Sequence, residues 1–212
     1  MDGLILDTEA IAEFTFVQTC QENGFKPNMS IFYKCIGVDC EATQRIMSEG
    51  YGSAFPLEPF FEVWKKKMHA EMTEKPIPLK AGALSLLKYL ETRHFKMALV
   101  TSTRTEAARR ELGNVNLARF FNLILGGDQV LKSKPNPEIY MTACDKLGEA
   151  TANCLALEDS EAGVLAAFHA GLSVIQVPDL VPPSAELKAL GHTIIGSLAE
   201  VENMFRTSNH AG

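Results

Sequence analysis

Four short segments of the chain combine residue types that can handle a phosphoryl group. Met1-Asp2-Gly3-Leu4-Ile5-Leu6-Asp7-Thr8-Glu9 opens with a carboxylate beside a glycine turn, and Ala98 to Thr103 is an apolar run ending in the hydroxyls Thr101, Ser102 and Thr103. Lys132-Ser133-Lys134-Pro135-Asn136-Pro137 fixes a lysine ahead of a proline-started helix, and Leu155-Ala156-Leu157-Glu158-Asp159-Ser160 ends an apolar run in two adjacent carboxylates. Each alone has an ordinary explanation. A run ending in Thr-Ser is often a helix N-cap, a lysine is most often solvated, and paired acids can cap the helix that follows them. Together they supply what phosphoryl transfer requires: charge neutralisation, oxygen ligands for a hard metal ion and a proton donor.

Such groups act together only if the fold gathers them. The runs Met97 to Val100, Leu123 to Leu125, Cys154 to Leu157, Val174 to Val177 and Thr193 to Ile195 are short and nearly all apolar. They lack the alternation of a half-exposed strand, as expected of parallel strands covered on both faces. Helical stretches fit between them, at Ala83 to Thr92, Glu106 to Leu112, Pro137 to Leu147, Glu161 to Ala170 and Ser184 to Leu190, with a last helix from Ser197. This alternation predicts an α/β fold with a doubly wound parallel sheet, in which chemistry sits at the carboxyl ends of the strands. Before about Pro76 to Lys80 the texture differs. Ile11, Phe14, Val17 and Cys20 recur at helical spacing, Asn28 and Asp39 stand as N-caps, and Asn23-Gly24, Gly37 and Gly50-Tyr51-Gly52 are stop signals, which together predict a small all-helical bundle.

Composition excludes other classes. The 212 residues are 46% hydrophobic and 22% charged, the balance of an ordinary globular protein rather than a disordered or fibrous one. With Lys plus Arg at 20 against Asp plus Glu at 26, and no basic block longer than Lys65-Lys66-Lys67, nucleic acid is not an expected partner. Five scattered cysteines without a CxxC pair read as reduced thiols, and no run approaches the roughly 20 apolar residues of a membrane span. A cytoplasmic protein with no membrane partner is expected.

The segments MDGLILDTE, SKPNPEIY and ALEDSEAG, in this order and followed by SVIQVPD, resemble the haloacid dehalogenase-like hydrolases, in the branch of β-phosphoglucomutase and sugar-phosphate phosphatases. The resemblance spans nearly the whole chain. It implies a Rossmann-like core over residues 1–8 and 79–212 with an inserted helical cap over 9–78. It implies Mg2+-dependent hydrolysis of a small phosphorylated metabolite through an aspartyl-phosphate. Asp2 would be the general acid and base, Thr101 and Lys134 catalytic, and Thr101, Ser102 and Lys134 the phosphate-binding groups. Asp159, the main-chain carbonyl of Asp2, and Glu158 directly or through water would hold the metal.

The family's first motif reads Asp-x-Asp-Gly at the end of an apolar strand, and Met1 stands at the x. The resemblance places that strand at the centre of the sheet, between Met97–Val100 and Cys154–Leu157, and makes its last aspartate the nucleophile. Three expectations follow from its absence: a natural protein that begins further upstream, a rearranged or borrowed strand, or a phosphate-binding regulatory relative without catalysis. A sugar-phosphate mutase of this branch would use a histidine in the first cap helix and an arginine in the cap loop. Ala12 and the stretch Val38 to Glu41 stand at those positions, which argues for phosphatase over mutase. Phe14, Phe32, Tyr33 and Trp64 read as cap core at helical spacing, with substrate contact the alternative.

Overall fold

A computed structural model describes residues 1–75 and 77–208, so Pro76, at the expected change of texture, lies outside it. Residues 8–74 fold as four helices: α1 (Thr8–Glu22), α2 (Met29–Lys34), α3 (Cys40–Tyr51) and α4 (Leu57–Glu74). The caps are those read from the sequence. The Asn28 side chain accepts from Ser30 N at 3.2 Å and the Asp39 side chain from Ala42 N at 2.8 Å, each satisfying an amide that the helix leaves free. The bundle closes on aromatic rings. Phe16, fully buried, stacks on Phe32 at 5.1 Å and meets Trp64 edge-on at 5.4 Å, while the Trp64 indole donates to Thr15 Oγ1 at 3.1 Å. Phe32 and Trp64 are therefore core, whereas Phe14 and Tyr33 face outward.

After the bundle comes α5 (Ala83–Thr92), then β1 (Ala98–Val100), α6 (Thr105–Asn114), β2 (Leu123–Leu125), α7 (Glu138–Leu147), β3 (Leu155–Glu158), α8 (Glu161–His169), β4 (Ser173–Gln176), α9 (Ala185–Lys188), β5 (Thr193–Ile194) and α10 (Leu198–Ser208). All strand pairing within these elements is parallel, and helices pack on both faces, which is why the strands read as continuous apolar runs. The strands form two sheets, β1–β2 and β3–β4–β5. Among the described residues no ladder joins β1 to β3.

The amino-terminal segment makes a compact turn beside these strands. Ile5 N and Leu6 N both donate to Met1 O, at 2.9 and 3.1 Å, and Gly3 N returns to Leu6 O at 3.0 Å. Gly3 adopts φ of 68°, where a Cβ would be strained and would also stand 2.5 Å from Asp159 Oδ2. Asp7 N donates to Pro78 O and Lys80 N to Ile5 O, both at 2.9 Å, tying the strand into the helical bundle to the strand leaving it.

Candidate active site

A cavity of about 380 Å³ lies past the carboxyl ends of β1 and β3, against the helical bundle. Asp2, Thr101, Ser102, Lys134, Glu158 and Asp159 all line it. The carboxylate of Asp2 is held from two sides. Its Oδ1 accepts from Thr8 Oγ1 at 2.8 Å, at the start of α1, and its Oδ2 from Thr103 Oγ1 at 2.8 Å, just past β1. Thr101 is 3% exposed, its N–H extends the β1–β2 ladder to Leu125 O at 3.1 Å, and its hydroxyl oxygen accepts from Thr103 N at 3.1 Å. Ser102 reaches the opposite wall, donating to Gly37 O at 3.4 Å.

Lys134 and Glu158 form a buried pair at 2.6 Å, with both side chains 6% exposed. The Tyr140 hydroxyl donates to the same Glu158 oxygen, and Lys134 Nζ also donates to Val100 O at 3.3 Å. Burial and the Glu158 charge push the Tyr140 phenol well above its usual range. Glu158 is thus turned toward Lys134 and Tyr140, and α8 accommodates it through Gly163, where a Cβ would fall 2.0 Å from Glu158 Oε2.

Asp159 is 8% exposed, and burial first, then the Glu158 charge, raises its affinity for a proton well above that of a free aspartate. Asp179, after β4, receives Lys80 at 2.5 Å on Oδ1, while its buried Oδ2 has no hydrogen-bond partner among the described residues. Burial pushes the Glu9 carboxyl up to about 8, with Asp2, Asp159 and Asp179 adding their repulsion. Glu111, on α6, is pushed up to about 7 by burial and then by Asp2. Lys134 is already committed to Glu158, so this rim carries more negative charge than its own cations offset. A hard divalent ion suits such a donor set of carboxylate oxygens with the main-chain carbonyls nearby. Among the described residues no three His, Cys, Asp or Glu side chains converge as a metal cage of their own.

The loop between α2 and α3 closes the cavity from the bundle side. Ser133 donates to the Asp39 carboxylate, and the Ala42 N–H, with Ser133 second, holds that carboxyl below its usual range. Gly37, at φ 76°, lies so close to Ser160 that a Cβ would come within 2.4 Å of it. The remaining wall is soft and apolar, built from Ala12, Cys35, Val38, Met68 and Met72, with Glu9 the acid among them.

All six residues singled out from the sequence therefore border one cavity, with Glu158 facing Lys134 and Tyr140 rather than Asp159. Sequence reasoning missed Thr8, Glu9, Thr103, Tyr140, Lys80 and Asp179 as site groups. Thr8, Glu9 and Tyr140 lie inside the segments quoted above, and Thr103 ends one of them. Thr103 meets Asp2 across 101 residues of chain and Lys80 meets Asp179 across 99, and no local pattern reveals such pairs.

Residues 1–177 match the family model of the haloacid dehalogenase-like hydrolases. The chain is 28% identical over 178 residues to the phosphorylated carbohydrates phosphatase of Thermotoga maritima, covering 82% of this chain and 81% of the relative. It is 30% identical over 203 residues to YhcW of Bacillus subtilis, covering 95% and 90%. The crystal structure of β-phosphoglucomutase from Clostridium difficile superposes with a TM-score of 0.77 at 20% identity, over 99% of this chain and 95% of that one, a likeness of fold. With the four segments on one rim of a parallel α/β core, the chain belongs to the haloacid dehalogenase-like hydrolases, in their β-phosphoglucomutase-like branch.

Proposed function

We propose that this protein hydrolyses the phosphate monoester of a small, sugar-phosphate-like metabolite in the presence of Mg2+, through an aspartyl-phosphate. One observation carries the reading: Asp2, Thr101, Lys134 and Asp159 border a single cavity that also has room for a small molecule. In this scheme the family's nucleophilic aspartate, whose motif position is two residues before Asp2, attacks phosphorus in line, a P–O bond forms and the P–O bond to the metabolite breaks. Asp2 gives its proton to the departing oxygen, and the same carboxylate then takes a proton from the water that attacks phosphorus and releases phosphate. Thr8 and Thr103 hold Asp2 in one orientation for both steps. Thr101 and Ser102 hydrogen-bond the phosphoryl oxygens, and Lys134 lies against the charge that develops there.

Asp159 and the main-chain carbonyl of Asp2 would hold Mg2+, with Glu158 reaching it through water while its carboxylate stays with Lys134 and Tyr140. Bound there, the ion would offset the repulsion between two anions. No His or Arg stands at Ala12 or Val38 to Glu41 to hold a second sugar hydroxyl, and phosphate release is the outcome this favours over phosphoryl return. The test is a panel of sugar and nucleotide monophosphates with Mg2+, using protein that carries an apolar segment ending in Asp ahead of Met1. Released phosphate on at least one member is expected. No turnover on any member sinks the hydrolase reading, and isomerised sugar phosphate without released phosphate would replace it with a mutase.

A further inference from the structure

Strand β3 and helix α8 meet at Asp159, and neither supplies a partner for its main-chain carbonyl. The β3–β4 ladder ends one residue earlier, where Val177 N donates to Glu158 O at 2.7 Å, and α8 begins one residue later, where Val164 N donates to Ser160 O at 3.0 Å. A buried carbonyl between the two would be an orphan. One side chain fills the gap. Gln176, the last residue of β4 and 1% exposed, donates through Nε2 to Asp159 O at 3.3 Å. Both peptide groups that flank the Asp159 Cα are therefore pinned by β4, one by the main chain of Val177 and the other by the amide of Gln176.

Nothing else in the strand requires an amide. Val174, Ile175 and Val177 are apolar and buried, as suits a strand with neighbours on both sides. A buried amide needs partners at both ends, and the second is His192, just ahead of β5, whose Nε2 lies 2.9 Å from Gln176 Oε1. The direction of each bond in this relay is set by its far end. Asp159 O can only accept, so the Gln176 nitrogen faces it, the Gln176 oxygen faces the ring, and the ring proton is assigned to Nε2. His192 Nδ1, unprotonated in this tautomer, is buried and without a hydrogen-bond partner among the described residues. A second proton there would bury an unpaired charge, and burial accordingly holds the imidazole below its usual range. The ring thus stays a neutral donor to Gln176.

We propose that Gln176, locked in place by His192, is a positioning residue that holds the Asp159 backbone so that its carboxylate meets a divalent cation in one orientation. The relay is geometry; its role in binding the ion rests on the Mg2+-dependent phosphatase reading. Among the described residues no other side chain donates a hydrogen bond to Asp159, so the backbone is what aims its carboxylate into the cavity. Asp159 is also the single residue between strand and N-cap, where rotation of the peptide that follows it would re-aim the side chain. Without the relay the ion itself would have to order this ligand, which weakens metal binding and leaves Thr101, Ser102 and Lys134 in place.

The rise of Tm with Mg2+, titrated over an EDTA baseline for each variant, reads this role without turnover. Gln176→Met keeps the length of the side chain and removes both ends of the amide, and it is expected to raise the Mg2+ concentration for half of the full Tm rise about tenfold. His192→Phe should raise it by a smaller factor, and His192→Gln, whose amide N–H can stand where the Nε2–H does, should restore it. Gln176→Met with His192→Phe should match Gln176→Met alone, because the ring acts only through the amide. Where Gln176→Met does not fold, His192→Phe and its rescue by His192→Gln carry the test. A lower Tm in EDTA with an unmoved Mg2+ midpoint makes the pair merely structural and overturns the proposal, as does a double variant in which the two effects add. If Mg2+ leaves the parent Tm unmoved, the metal site of the phosphatase reading fails, and the 13C shift of the Asp159 carbonyl in EDTA decides for the pair. Displacement in both Gln176→Met and His192→Phe keeps it as the hold on Asp159, and an unchanged shift overturns it.

Discussion

Asp2 owes its orientation to two hydroxyls, Thr8 from the first helix and Thr103 from beyond β1, each 2.8 Å from a different carboxylate oxygen. As the proposed proton donor and acceptor of two successive steps, Asp2 has to stay in one place, so its two hydroxyl partners are expected to matter to rate and not to metal binding. Asp2→Asn in the strand-extended enzyme is expected to lower kcat by about 10² to 10⁴, the usual contribution of a positioned acid or base. Thr103→Val should cost a smaller part of that, about tenfold, while the Mg2+ concentration for half-maximal activity stays put. Asp159→Asn is expected to do the reverse to binding: Mg2+ raises Tm of the parent by mass action, and the variant should lose that rise. An unaltered Mg2+ shift in the variant would remove Asp159 from the metal site. For Lys134 the magnitude of buried charge decides. Lys134→Met strands Glu158 in a site 6% exposed, so urea unfolding should show a loss of about 3 to 5 kcal/mol, and Lys134→Met with Glu158→Gln should recover much of it.

Helix α8 shows how an element is shaped by what it packs on. Gly163 stands in its first turn, where alanine would ordinarily gain about 1 kcal/mol in helix propensity. A Cβ there meets Glu158 Oε2 at 2.0 Å, and Glu158 cannot swing aside without leaving Lys134 and Tyr140. Overpacking of this kind costs about 1 to 3 kcal/mol, so Gly163→Ala is expected to destabilise despite the helical gain, with Cm in urea as the measurement. A higher Cm would mean that the carboxylate is free to move. The elements themselves were legible. Five apolar runs became five parallel strands within one residue at each end, because strands packed between two layers of helices are apolar on both faces. Asn28 and Asp39 marked real helix starts because capping is a local bond. What stayed hidden depends on side-chain direction and chain distance: nothing in the sequence turns Glu158, read as a metal ligand directly or through water, toward Lys134 and the Tyr140 hydroxyl. The strands were expected in one doubly wound sheet; they pair as two, β1–β2 and β3–β4–β5.

At the scale of the molecule, acidity concentrates where the two cores meet. The formal charge is −6, yet the groups that matter are the few carboxyls pressed into the cavity without enough cations: Glu9 pushed up to about 8, Glu111 to about 7, and Asp159 raised by burial and Glu158. Between about pH 5 and 8 the folded chain holds protons on these groups that the unfolded chain has already released. Stability therefore falls as pH rises through this window, at up to about 1.4 kcal/mol per pH unit for each titrating group, less for the partly exposed ones. That runs opposite to the common case of salt-bridged carboxylates, whose stabilisation is lost as pH falls. In EDTA, Tm is expected to drop by several degrees from about pH 5.5 to 8, since about 1 kcal/mol moves Tm by roughly 2 to 4 °C in a chain of this size. A divalent cation supplies the charge these carboxylates lack and binds best when they are ionised. Millimolar Mg2+ should thus leave Tm nearly unchanged at the acidic end and raise it progressively toward pH 8, flattening the slope. A metal-free Tm that climbs with pH, or a Mg2+ effect equal at both ends, would show that the cavity's carboxyls are not the protonated cluster described above.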